Sequence, residues 1–418
     1  MIYLKNFGLI LVYLILILYS LEFLTLIFLK KEFNFNQLSF DELRKIKVEE
    51  YSKNNFFEKR TRIENFLEEK NEFDLKPVFR FSNFYFNKFD RDYKIKNFIQ
   101  NRTKLIPFRG PFNSNVLGSN EDGIREIVFN DKFGFKNKND VYRNKIDLMV
   151  IGDSFAEGIP FGNDFHVAHL INNKSNLNAL NYGVSATGPL LSLAVIKEYG
   201  EYFKPTDIFY LFYEGNDLTD MMHEKESFLI NYLKDDNFNQ NLIGNSQQLN
   251  NFFQEYEKIF YEIIEYNKIN SSDVNSTAIK KNAKKFKEKI KDFLELNNLK
   301  ELLLVGSVYN RTEIDYDMFK NILFKMQTLT RNWGGNLHFV YLPSWIRYNN
   351  KISLANFKHQ KKIKKIVLGL DINYIDIVEK FKQNKMDNVN SFHLGLYGHY
   401  KKNGYELVAD EIIYQIKK

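Results

Sequence analysis

The chain reads as an α/β protein built on a doubly wound parallel sheet of about five strands with helices on both faces, preceded by a transmembrane helix and carrying a helical insertion. Three observations lead there. Short, almost wholly apolar runs recur along the second half of the chain, as strands buried on both faces do. Helix-length segments separate them, which is the βαβ pattern of a parallel sheet. The apolar run Phe7 to Leu29 exceeds the roughly 20 residues that span a bilayer core as a helix.

Taken in order, residues 1–30 are expected to be an uncleaved membrane anchor, because nothing like a small-residue cleavage site follows Leu29. Only Glu22 interrupts the run, and it is expected near one interface. Lys5 on one side and Lys30 and Lys31 on the other leave the orientation undecided. Residues 31–144 read as a stalk and small accessory region: a helical stretch to about residue 60, an alternating FRFSNFYFNKF, and a hairpin around Ile124 to Phe129 flanked by Asp122-Gly123 and Asn130-Asp131.

Residues 145–418 then form the main domain. Strands are expected at 146–151, 179–183, 207–213, 336–343 and 371–377, with helices near 164–174, 189–200 and over the terminal KNGYELVADEIIYQI. Polar and lysine-rich sequence at about 235–300 reads as helical and largely solvated, within a helical insertion at about 235–335. Alternation of this kind gives a flavodoxin-like winding.

Composition narrows the chemistry. The chain has 418 residues with 44% hydrophobic and 27% charged, enough apolar material for a large core. With no cysteine, disulfide scaffolds, thiolate nucleophiles and cysteine-ligated metals are excluded together. A net charge of +7 is mild for this length and accompanies heavy use of Lys, Asn, Ile and Phe, so no nucleic-acid partner is expected.

In an open α/β sheet, ligands bind beyond the carboxyl ends of the strands. Four places stand there: Gly152-Asp153-Ser154 after the first strand, Gly183 after the second, Gly215-Asn216-Asp217 after the third, and His399 ahead of the last helix. They supply a hydroxyl nucleophile, oxyanion donors from the Ser154 and Gly183 N–H groups and the Asn216 amide, and an imidazole base. Acyl transfer needs those parts. Asp153 and Asp217 are expected to accept backbone hydrogen bonds rather than carry protons.

The stretches GDSF, NYGVSATG, EGND and GHYKKNGYELVA resemble the four blocks of the SGNH hydrolase superfamily, the GDSL esterases and lipases. The resemblance covers about residues 145–234 and 336–418 and implies that Ser154 is the nucleophile, Gly183 and Asn216 complete the oxyanion hole, and His399 is the base. NEDG and DKFGFKN resemble leaders of membrane-anchored members. The chain departs from the family three residues before His399, where an orienting aspartate is usual and Leu396 stands. That leaves a Ser-His dyad, or Asp387 or Asp376 arriving from elsewhere, with His393 as the fallback base. Implied partners are a membrane and an acylated carbohydrate or lipid, with no cofactor; oligomeric state stays open.

Other residues have plainer readings. His166 and His169 lack a carboxylate-rich companion motif and are expected to pack rather than bind metal. The run KHQKKIKK at 358–365 reads as a solvated helix face, and Asn310-Arg311-Thr312 as an accident of asparagine-rich composition. Trp345, just past a strand end, walls an acyl or sugar pocket or simply packs.

Overall fold

The computed structural model describes residues 10, 12–25, 40–81, 105–270, 291, 293–296, 299, 314–349 and 357–418. They divide into two compact units, 1–50 with 264–313 and 51–263 with 314–418. The second unit contains the sheet and everything discussed below as a site. It also takes in the residues from Tyr51 onward.

Before the sheet lie α1 (Arg62–Glu69) and the antiparallel pair β1 (Ser114–Leu117) and β2 (Ile127–Asn130). The hairpin therefore forms, but with residues 114–117 as the partner and Asp122-Gly123 inside the connection. Thr61 and Glu64 cap the start of α1 reciprocally. Of the alternating FRFSNFYFNKF, only Phe79–Phe81 fall within the described residues, and Phe79–Arg80 pairs with Arg109–Gly110.

The sheet consists of β3 (Leu148–Gly152), β4 (Ala179–Gly183), β5 (Asp207–Tyr213), β6 (Asn336–Leu342) and β7 (Asn373–Asp376). All neighbours are parallel and the order is β4-β3-β5-β6-β7. Because side chains alternate along a strand, each strand feeds two cores. Leu148 and Val150 join Phe209, Leu211 and Val340 on one face, while Met149 and Ile151 join Tyr182, Tyr210 and Phe339 on the other. Both faces are covered, so the strands carry no polar alternation.

Two short connections follow: α2 (Ser154–Glu157) after β3 and α3 (Val167–Lys174) before β4. Then come α4 (Pro189–Val195), α5 (Asp217–Glu224), α6 (Ser246–Asn270) and α7 (Tyr316–Asn332). The stretch expected as a solvated insertion is partly core. Leu249, Phe252, Phe253 and Tyr256 of α6 are buried with Phe79, and α7 buries Met318, Phe319, Ile322 and Met326 against the sheet. Its polar composition hid these apolar stripes, and α7 is a crossover helix of the fold itself. The last helices are α8 (Phe357–Gly369), α9 (Ile377–Gln383) and α10 (Lys402–Lys417). Ile363 and Val367 of α8 are buried while Lys361, Lys362, Lys364 and Lys365 face solvent.

Among the described residues no helix is long and apolar enough to cross a membrane. The expected anchor lies partly outside them. Within the first unit, Glu22 is buried and accepts the Leu299 N–H at 2.7 Å. Asn310-Arg311-Thr312 lies outside the described residues.

Candidate active site

Strand order reverses between β3 and β5, and that switch point opens a crevice beyond their carboxyl ends. Ser154 leaves β3 and Asn216 leaves β5, so the two flank it. Gly152 makes the exit possible: its φ is +140°, and a Cβ there would lie 2.5 Å from the Leu211 carbonyl oxygen. Asp153 then caps α2 by accepting the Phe155 N–H at 2.9 Å, which leaves Ser154 at the first helical position and partly exposed.

His399 arrives from the loop ahead of α10. Its Nε2 is 2.7 Å from Ser154 Oγ, across 245 residues of sequence. Its Nδ1 is 2.8 and 2.9 Å from the two carboxylate oxygens of Glu121, and the same carboxylate accepts the His399 backbone N–H at 3.2 Å. With the Nδ1 proton on Glu121's side, Nε2 is free to accept from the serine hydroxyl. The chain thus aligns a carboxylate, an imidazole and a hydroxyl in series.

The carboxylate that meets the His399 ring is Glu121, not Asp376 or Asp387. Asp376 instead caps α9 through the Val378 N–H at 3.2 Å and bonds Gln360, and Asp387 is exposed. Leu396 is buried where the family resemblance implied an aspartate. Glu121 belongs to the NEDG turn between β1 and β2, and several contacts fix that turn. Gly123 adopts a φ of +93° and accepts the Glu58 N–H at 2.8 Å, while Asn120 Nδ2 donates to Glu58 O at 2.9 Å. Arg125 Nε donates to Asn65 of α1 at 2.9 Å. Gly398 leaves room for the carboxylate, since a Cβ there would stand 3.2 Å from Glu121 Oε2.

Electrostatics follow from this pairing. Burial alone would raise the Glu121 carboxyl, but the His399 charge and hydrogen bonds bring it down to about 2. Burial alone would lower His399, yet the Glu121 charge and hydrogen bond hold it above the usual histidine value, with Asp153 and Glu157 adding to the effect. His393 goes the other way: burial pushes it down to about 4, and its ring lies against Phe161. Burial, with Asp220 as a like-charged neighbour, pushes Asp153 up to about 7.

The oxyanion donors are arranged differently from expectation. Gly183 N–H donates to Asn181 Oδ1 at 2.9 Å. Glycine is still required there, because a Cβ would fall 2.1 Å from the Glu157 nitrogen and 2.5 Å from the Ala156 carbonyl carbon. The need comes from α2 packing onto β4. Asn216 Nδ2 donates one proton to Asp220 Oδ2 at 2.5 Å, so its second N–H is the one left for a ligand. Ser154 N–H sits in the first turn, where the helix ladder makes no use of it. Asp217 accepts from Tyr210 Oη and the Tyr213 N–H, both at 3.1 Å.

The segment ahead of the sheet also grips α2 directly. Arg109 and Glu157 form a buried ion pair at 2.6 Å. Lys136 donates to the Gly158 carbonyl at 3.0 Å and to the Phe161 carbonyl, and Asn137 exchanges hydrogen bonds with Asn181 of β4. Burial pushes Lys136 down to about 7, whereas Glu157 is brought down to about 2 because Arg109 outweighs its burial. His166 is the buried N-cap of α3, accepting the His169 N–H at 3.1 Å, and His169 contacts Asn173.

No family model and no curated protein matches this chain. Among solved structures, one similar to it is a candidate lipolytic protein of the G-D-S-L family from Desulfitobacterium hafniense, at 10% identity and a TM-score of 0.34, covering 64% of this chain and 98% of that one. A likeness that distant carries no argument, so function has to be read from the site.

Proposed function

We propose that this chain is a serine-dependent ester hydrolase of SGNH type, with Ser154 as nucleophile, His399 as base and Glu121 as the acid that orients it. The contact series Glu121–His399–Ser154 is the observation that supports it most. As Ser154 Oγ attacks the ester carbonyl carbon, its proton passes to His399 Nε2 and Glu121 stabilises the imidazolium. His399 returns that proton to the departing alkoxide as the ester C–O bond breaks, leaving an acyl group on Ser154. A water then repeats the sequence and frees the acid.

Negative charge on the carbonyl oxygen would be met by the Ser154 N–H and the second Asn216 Nδ2–H. Gly183 N–H joins only if it gives up Asn181. A non-catalytic component that keeps the fold is the rival suggested by Leu396 three residues before His399, and the Glu121 contact to His399 Nδ1 weighs against it. Carbohydrate O-acyl transfer would use the same acyl-enzyme, with a sugar hydroxyl replacing water.

The substrate in this reading is a short acyl ester, such as acetyl, of a cell-envelope carbohydrate. The apolar run at residues 7–29 supports a tether, and a tethered catalytic unit facing outward would meet envelope carbohydrate. Protease treatment of intact cells should then cut the catalytic unit without lysis. For the chemistry, a fluorophosphonate should label the wild-type chain and not Ser154→Ala. Equal labelling of both would overturn the proposal.

A further inference from the structure

Asn216 stands at the N-cap of α5, yet its side chain makes no capping bond. An asparagine there ordinarily turns its Oδ1 onto a backbone N–H of the first helical turn. Here Oδ1 is buried with no hydrogen-bond partner among the described residues, while Nδ2 donates to Asp220 Oδ2 at 2.5 Å, one turn further along the same helix. The chain gives up a local bond and leaves a buried acceptor unpaired, and both destabilise it. What it gains is direction. An amide has an acceptor at one end and two donors at the other, and rotation about its last bond exchanges them. A carboxylate only accepts, so Asp220 holds the donor end and rejects the other. Asp220 is buried, and its own N–H donates to the Asn216 carbonyl at 2.8 Å, which fixes the two residues against each other. The neighbouring carboxylates do backbone work instead: Asp153 accepts the Phe155 N–H and Asp217 the Tyr213 N–H.

We infer that Asp220 is a positioning residue, which turns the Asn216 amide away from capping α5 and so presents the second Nδ2–H to the carbonyl oxygen of the substrate. This rests on the esterase reading and names what aims one of its oxyanion donors. Without Asp220 the amide rotates to cap α5 with Oδ1, and its donors no longer point where charge develops.

The test is a cycle of full-length variants, Asn216→Ala, Asp220→Ala and both together, with kcat and KM measured on 4-nitrophenyl acetate. Asp220→Ala should lower kcat by about 10 to 10², part of the loss expected for an oxyanion donor, with KM within about twofold. Placed on top of Asn216→Ala, the same substitution should cost less than about threefold more, because the group it acts through is already gone. Asp220→Asn keeps an acceptor oxygen of the same shape, and its kcat should fall between wild type and Asp220→Ala. Losses that multiply in the double variant would overturn the inference and make Asp220 a support for α5. A second readout needs no turnover. In full-length protein labelled at asparagine with an NMR-active nitrogen, the Asn216 Nδ2 signal, assigned by its absence in Asn216→Ala, should show two widely separated proton shifts that converge in Asp220→Ala. Unchanged shifts would overturn the inference. Converging shifts in a chain that no fluorophosphonate labels would support the hold of Asp220 on the amide and overturn the esterase reading instead.

Discussion

The carboxyl edge of the sheet and the segment ahead of it contribute to the site in opposite ways. The edge supplies Ser154, Asn216 and the crevice through topology: parallel strands put residues that follow each strand side by side, wherever they lie in sequence. The segment from residue 105 to 137 supplies Glu121 through turn geometry and through its grip on α2. The first kind of placement follows from a repeating pattern. The second depends on particular contacts made once, and it can be broken without disturbing the sheet.

Removing the group that the pre-sheet segment provides should have the largest effect. Glu121→Gln keeps the shape but not the charge, and kcat should fall on the order of 10³ to 10⁴, as when a triad aspartate is neutralised. The comparison sharpens if Asp376→Asn and Asp387→Asn leave kcat within about twofold, since surface substitutions away from a site usually change little. Asn216→Ala removes a proposed oxyanion donor from the sheet edge and should cost about 10² to 10³ in kcat, with KM little changed. Steady-state kinetics on one activated ester measures all four.

Arg109→Met tests the grip on α2. It strands Glu157 as a buried charge and should lower unfolding stability by about 3 to 5 kcal/mol, read by urea denaturation. Leu396→Asp tests the position where an acid was sought. Glu121 already occupies Nδ1, so the new carboxylate should give no gain in kcat and should only lower stability, since Leu396 is buried. A rise in kcat would mean that His399 lacks an orienting group in the wild-type chain.

Most of the sheet was readable because its strands are apolar on both faces: ALNYG and DIFYLFY are strands at the boundaries read from sequence. Ser154, Asn216 and His399 were readable for the same reason, being the residues at strand and helix ends. Glu121 was not. It meets His399 across 278 residues, and its own signal was only a turn with Asp122-Gly123 and a likeness to other leaders. No spacing rule reaches that far; a search for any unassigned carboxylate within a glycine turn would have raised it. Gly183 was read as an oxyanion donor, and the need for glycine there comes from the close approach of α2. The core role of α7 was hidden because its polar face set the composition of the stretch around it.

The pH dependence of Ser154 labelling by a fluorophosphonate, followed in wild type and in Glu121→Gln, measures the pairing of Glu121 with His399 most directly. Only neutral imidazole accepts the serine proton, and Glu121 raises the His399 pKa, so wild-type labelling should climb with pH through a midpoint above that of an ordinary histidine. Glu121→Gln should move that midpoint to lower pH while reducing the plateau rate at least a hundredfold. Superimposable curves for the two chains would contradict the Glu121–His399–Ser154 triad.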